Sequence, residues 1–375
     1  MKERFLIIIS TAFIIGLVWY VSINKNIVVF LPMLMLMGYF NINNSFSIDK
    51  RYIFVVFMFV LIFLFWGILN ITLHDKYDYV TSIRFVRAFI FGFIVLSFIF
   101  LFYGNRKQLL VKSIEYALWI ILILWFIQFI VYYTLGEYID LLEPIAGSER
   151  VQRYQAYWIK DSLPIDLIRP TSIFIEPGTY AVNTLPLMML SYIVRQRLTK
   201  LHVLTLFSYF ASISLFAITV ASLFILVTQL STLKFKFSKK NIFLLIFFTL
   251  LAFVIMEYLY YRFVVQGGTD QVAYREGVVT YWLSQDSLGF LLGQGAAQME
   301  VKRVMVEDAS FMFMLVFEYG IFSLPYFLLM LFISWGLPIA FFLILLLTKL
   351  NYLLYTVWLY IAGLTILRDY RINKE

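Results

Sequence analysis

From Phe5 to Ile23, and again from residue 52 to residue 73, the chain carries no charged side chain. An apolar run of about 20 residues, coiled as a helix at ~1.5 Å per residue, matches the ~30 Å hydrocarbon core of a bilayer. Such a run can keep every backbone N–H and C=O paired inside lipid only as a helix, because the strands of membrane barrels alternate apolar with polar positions. Composition agrees: 62% of the 375 residues are hydrophobic and 14% charged, against ~25% charged in an average soluble domain. With a mean hydropathy of +0.88, a water-soluble globule is excluded. The expected fold class is all-α, a polytopic integral membrane protein forming one membrane domain over 1–375.

The chain has no Cys and two His, His74 and His202. That excludes disulfides, thiolate nucleophiles and cysteine metal sites, and leaves too few imidazoles for a histidine cluster. No Gly-rich phosphate loop, HExxH or GxSxG occurs. The expected metal and cofactor content is none. A net charge of +8 in a membrane protein reads first as topology, since Lys and Arg accumulate in cytoplasmic loops, and nucleic acid is not expected as a partner.

Besides Phe5–Ile23, which is longer than a signal-peptide core and is read as a retained first helix, apolar segments run at 26–40, 52–73, 85–103, 114–135, 173–194, 242–262, 309–333, 337–348 and 352–367. The stretch 201–232 has basic residues on both sides: Arg195, Arg197 and Lys200 before it, Lys234, Lys236, Lys239 and Lys240 after it. One crossing cannot leave both ends inside. Two short helices turning near Ser212 to Thr219 can, which brings the count to about twelve segments. This arrangement puts 17 of the 30 basic residues on the cytoplasmic side. It also leaves two long outer segments, 136–172 and 263–307, whose Arg residues the inside rule does not explain. Aromatic residues at segment ends, such as Trp19, Tyr20, Tyr132 and Tyr133, fit an interfacial belt.

Four constellations carry the remaining chemistry. In RPTSIFIEPGTYA, 169–181, Pro177 suits the first turn of a helix, making Glu176 its cap residue. Arg169 and a helix N-terminus beside this carboxylate suit a phosphate-bearing headgroup. The alternative is a plain cap and a snorkelling Arg. The second constellation, YREGVVTYWLSQDSLGFLLGQG, 274–295, holds Arg275 and the glycines Gly289, Gly293 and Gly295, which permit tight turns or close backbone approach. In the third, EDASFMFMLVFEYGI, 307–321, Asp308 precedes an apolar run that Gly320 interrupts, and an N-cap role for Asp308 competes with a functional one. Fourth, Arg84 and Arg87 share a helical face at the outer end of their segment, where snorkelling competes with anion binding.

The first three stretches resemble bacterial O-antigen polymerases, within the superfamily that also holds the O-antigen ligases. The likeness lies in Arg169 with Glu176-Pro177, in Arg275 with Gly293-Gln294-Gly295, and in Asp308, Ser310, Glu318 and Gly320. The resemblance implies an inverting, metal-independent glycosyltransferase of the lipid-dependent integral-membrane class. Such an enzyme would sit in the bacterial inner membrane with its active site facing the periplasm. It would join undecaprenyl-pyrophosphate-linked repeat units during lipopolysaccharide biosynthesis. Its partners would be the lipid-linked donor and acceptor and a protein that regulates chain length. Fork-shaped guanidinium groups bind pyrophosphate bidentately, so Arg169 and Arg275, backed by Arg84 and Arg87, are the clamp candidates. Glu176 or Asp308 is the candidate base for the attacking sugar hydroxyl. Tyr154, Tyr157, Trp158, Tyr281 and Trp282 are candidate sugar platforms, with loop packing as the competing reading. The ligase branch carries a His near the position of Asp308, and neither His of this chain is there. A lipid-linked oligosaccharide flippase or other transporter is the alternative from a different class.

Overall fold

The computed structural model describes residues 2–41, 49–73, 79–148, 150–155, 167–230, 284, 287–293, 300–301, 304–305, 310–336 and 338–371. The described chain is helical: α1 (Lys2–Ile23), α2 (Ile27–Asn41), α3 (Lys50–Leu73), α4 (Tyr79–Tyr103), α5 (Lys107–Leu135), the short α6 (Glu143–Ala146), α7 (Pro177–Arg195), α8 (Lys200–Ala211) and α9 (Leu215–Leu230). After these come α10 (Ser287–Leu292), α11 (Phe311–Tyr319), a 3-10 turn (Gly320–Ser323), α12 (Leu324–Ile333), α13 (Pro338–Leu346) and α14 (Tyr355–Leu367). Among the described residues, strands are limited to a two-residue antiparallel ladder of β1 (Glu300–Val301) with β2 (Val304–Met305).

Five segments among the described residues are long and apolar enough to cross a membrane: Glu3–Ile23, Lys50–Ile68, Val86–Tyr103, Lys107–Leu135 and Phe311–Ile333. Their outward faces are apolar. Ile120, Ile123, Ile127 and Ile130 form an exposed stripe along α5, and Phe54, Phe57, Leu61 and Leu64 do so along α3. Contiguous exposed apolar faces of this size would aggregate in water and are at home in lipid. The molecule is a multi-pass membrane protein. The apolar segment expected at 242–262 lies outside the described residues.

The bundle is assembled around α7 and α14, which are buried on nearly every side. Several polar residues of α7 meet partners on other helices. The Asn183 carboxamide oxygen accepts from the Thr356 hydroxyl at 2.7 Å, and the Thr184 and Tyr209 hydroxyls lie 2.7 Å apart. A helix–helix polar bond in lipid also avoids the cost of an unpaired group. The paired helices expected in 201–232 are present as α8 and α9, which turn at Ser212–Ser214 with Ile213 at φ 46°. The Trp125 indole N–H pins this turn, donating to the Ser212 hydroxyl at 3.1 Å and to Pro170 O at 2.9 Å.

Two ends of the bundle differ in chemistry. At the basic end, Arg51 bridges Asp49 and Asp369 at 3.0 and 3.1 Å, and Lys112 meets Glu3 at 3.4 Å. Hydrogen bonding to Arg51 holds the Asp49 carboxyl below its ordinary value. One turn deeper, Arg195 of α7 forms a two-point bond with Glu115 of α5, at 2.8 and 2.7 Å. At the opposite end, the α1 terminus, the α5–α7 connection and the start of α14 come together, joined by the Tyr355 hydroxyl donating to the Asn26 side chain at 2.8 Å.

Candidate functional site

Glu176 stands where the α5–α7 connection enters the bundle. The connection doubles back on itself: Arg153 N donates to Ile175 O, Arg169 N donates to Tyr154 O, both at 2.7 Å, and Gln155 bridges Ile168. Two buried glutamines hold this ribbon. The Gln128 side-chain oxygen accepts from the Thr171 and Ser172 N–H groups at 3.1 and 2.7 Å, and its amide donates to Gln152 at 2.8 Å. Gln152 in turn donates to Phe174 O at 2.9 Å and accepts from the Tyr138 hydroxyl at 3.0 Å. Burial pushes the Tyr138 phenol above its ordinary value, so it remains a donor at neutral pH. Ser172 occupies the left-handed region at φ 56°, a conformation held by its N–H bonds and by its hydroxyl, which donates to Ile121 O at 2.7 Å.

α1 supports the same ribbon from below. The Trp19 indole donates to Ile173 O at 2.7 Å, the Ser22 hydroxyl accepts from Ile175 N at 3.3 Å, and Arg150 donates to Ser22 O at 2.6 Å. The backbone on both sides of Glu176 is therefore fixed by α1, α5 and the α8–α9 turn.

Glu176 is the N-cap of α7 by backbone position, and Pro177 takes the first helical place as expected from the sequence. Its side chain makes no capping bond. Instead one carboxylate oxygen accepts from the Thr179 hydroxyl at 3.3 Å, and the other lies 3.9 Å from the Arg153 guanidinium. The Glu176 side chain is 33% exposed. A partly exposed carboxylate with long contacts, next to a rigid backbone, is open to hydrogen bonding from solvent or a ligand.

The Arg169 guanidinium donates to Gln155 O at 3.0 Å and to Arg153 O at 3.4 Å. Arg153 is the cation beside the carboxylate, brought there by the ribbon register. In sequence it is one of several charges in a long outer segment, and only its pairing to Ile175 marks it out. Tyr154 stacks on Tyr138 with ring centroids 3.7 Å apart, which favours packing over an open sugar platform.

Arg84 and Arg87 lie one turn and more inside α4, which begins at Tyr79. The Arg87 guanidinium sits 5.6 Å from the Phe91 ring and is exposed. Arg275, Asp308, Tyr157, Trp158, Tyr281 and Trp282 lie outside the described residues. The cap of α11 is nevertheless defined: Ser310 accepts from Phe313 N at 3.4 Å. The expected alternative for Asp308, an N-cap, falls to Ser310 because the helix starts two residues later than Asp308 would require.

The second and third constellations meet through backbone. Gly293 has φ 76°, and a Cβ placed there would lie 2.5 Å from the Glu318 carbonyl and from Tyr319 N. Only glycine permits that approach. Glu318 is itself buried, and one of its oxygens accepts from the Tyr352 hydroxyl at 2.8 Å. Trp66 stacks on Tyr319 at 4.0 Å and donates to Phe322 O at 2.8 Å, bracing the 3-10 turn that follows. Glu318 and Glu115 stand in apolar stretches of the sequence, a pattern that does not reveal their partners. Among the described residues no group of three His, Cys, Asp or Glu side chains could hold a metal ion.

The fold and site define a class, a multi-pass helical membrane protein with a carboxylate–arginine ribbon at one end. No protein-family model, curated protein or solved structure matches the chain.

Proposed function

We propose that this chain is an O-antigen polymerase. It would transfer a growing glycan from one undecaprenyl pyrophosphate to a new lipid-linked repeat unit at the periplasmic face of a bacterial inner membrane. The observation that carries the reading is Glu176, a carboxylate without a capping role at the head of a buried helix, with Arg153 and Arg169 on the ribbon beside it. In the reaction the acceptor sugar hydroxyl attacks the donor anomeric carbon. The bond from that carbon to the pyrophosphate oxygen breaks, and the configuration inverts. The hydroxyl proton passes to Glu176 or, on the sequence reading, Asp308. Undecaprenyl pyrophosphate leaves with the bonding pair, and its developing charge is met by arginine forks, for which Arg275, Arg169 and Arg153 are the candidates. Arg84 and Arg87 would draw the anionic headgroup towards the site.

The test is to delete the gene and resolve the surface glycolipid on a gel. Loss of a polymerase leaves lipid A core capped by one repeat unit. Uncapped core would overturn the reading in favour of a ligase or a lipid-linked oligosaccharide flippase.

A further inference from the structure

At the basic end, far from Glu176, a cavity of about 550 Å³ opens between the start of α1, the α4–α5 turn and the chain after α14. That volume falls within the ~300–1,000 Å³ of small-ligand sites. Its wall is charged on one side and apolar on the other. Arg106, Lys107 and Lys112 line it, with Glu3 as the acid among them. Glu3 is engaged by Lys112 at 3.4 Å, and among the described lining residues three cations stand against one acid. The Arg106 guanidinium lies 4.8 Å from the Phe102 ring and bonds Phe102 O at 3.4 Å, so it is oriented at the cavity edge, and burial holds it below its ordinary pKa. Leu6, Ile7 and Tyr370 form the apolar side.

The cavity floor is also the start of α5. Arg106 is its N-cap and supplies no side-chain cap, and the next residues, Lys107, Gln108 and Leu109, line the cavity. Their backbone N–H groups add a fixed positive potential to that of the side chains.

The geometry points to a binding site for a phosphate ester in this cavity: the headgroup of an anionic phospholipid, or a soluble phosphate with the same chemistry. The charged wall and the helix start meet the phosphate, and the apolar wall offers a path for acyl chains. This inference does not rest on the polymerase reading.

The test uses the full-length protein purified in detergent. Native mass spectrometry measures retention of phosphatidylglycerol against phosphatidylcholine, and a parallel arm measures thermal shift with inorganic phosphate. The comparison is wild type, Arg106→Gln/Lys107→Gln, and Arg368→Gln/Arg371→Gln, which removes the same charge elsewhere on the same end. The expected result is about tenfold weaker phosphatidylglycerol retention for the first pair alone. A shift with inorganic phosphate that the first pair abolishes, without lipid preference, would assign the site to a soluble phosphate. Equal losses from both pairs, or none from either, would overturn the inference, since diffuse surface charge would then account for binding. Because the chain has no cysteine, Gln108→Cys supplies a single thiol in an otherwise unchanged cavity. Anionic lipid or phosphate should slow its labelling several-fold, and an unchanged rate would count against the site even if the double variant fails to fold.

Discussion

At the scale of the residue, Glu176 separates two roles that its position would otherwise confuse. A capping side chain contributes ~1 kcal/mol to its helix, but this one makes no capping bond. Glu176→Gln is therefore expected to melt within about 0.5 kcal/mol of wild type while abolishing polymer, because an amide cannot accept the proton. Thermal unfolding in detergent and the polymer ladder, measured on the same preparation, check both halves. A normal ladder would return Glu176 to a structural role. Arg153 allows a similar separation. Its contact with Glu176 is 3.9 Å long and its side chain is 71% exposed, so as an ion pair it contributes ~0–1 kcal/mol. Arg153→Ala should leave the melting temperature unchanged and reduce polymer if the guanidinium meets pyrophosphate. Lysine should rescue poorly, since a point charge does not reproduce the two-point fork. The same Lys and Ala pair at Arg275 tests the clamp assigned from sequence, and wild-type ladders for both would refute it there.

At the scale of the element, polar contacts join helices at particular points of an otherwise apolar core. Glu115 accepts two bonds from Arg195 and one from Ser191 at 2.9 Å, and both ion-pair side chains are partly buried. Glu115→Gln should cost about 1–3 kcal/mol, because it removes the charge that accepts both guanidinium bonds. Arg195→Gln should cost a similar amount, and the double variant less than the two together. A double-mutant cycle of thermal midpoints measures this, and simple additivity would show that the pair is not coupled. Glycines offer a second comparison. Gly293→Ala must fit a methyl group against the Glu318–Tyr319 backbone at a left-handed φ, which should lower stability by more than about 2 kcal/mol. Gly67→Ala in α3 meets nothing within 4 Å and should be neutral or slightly stabilising, as alanine favours a helix over glycine by ~1 kcal/mol. Equal midpoints for the two variants would mean that the α10 segment does not dock on α11 as described.

At the scale of the whole molecule, orientation follows from charge. The described basic residues Arg51, Arg106, Lys107, Lys112, Arg195 and Arg368 cluster at the end opposite the Glu176 ribbon, and Lys and Arg accumulate on the cytoplasmic side. Reporter fusions at 150 and 285 are accordingly expected to report an extracytoplasmic location, and fusions at 197 a cytoplasmic one. Cytoplasmic activity at 150 would invert the molecule and remove the chemical setting proposed for Glu176.

Much of this architecture was legible along the chain. Helix class, the positions of the five long apolar segments found among the described residues, the α8–α9 turn and the start of α7 at Pro177 all depend on hydrophobicity, charge and backbone preference, which are local properties of the sequence. The break at Gly320 was legible for the same reason. What only the tertiary structure decided is which polar groups meet. Arg195 finds Glu115 80 residues away, Tyr352 finds Glu318 34 residues away, and the ribbon register gives Glu176 the neighbour Arg153. Burial in lipid demands that each such group be satisfied, but many partners of the right type are available along the chain. Helix packing and loop register choose among them, and that choice turns scattered charges into a site.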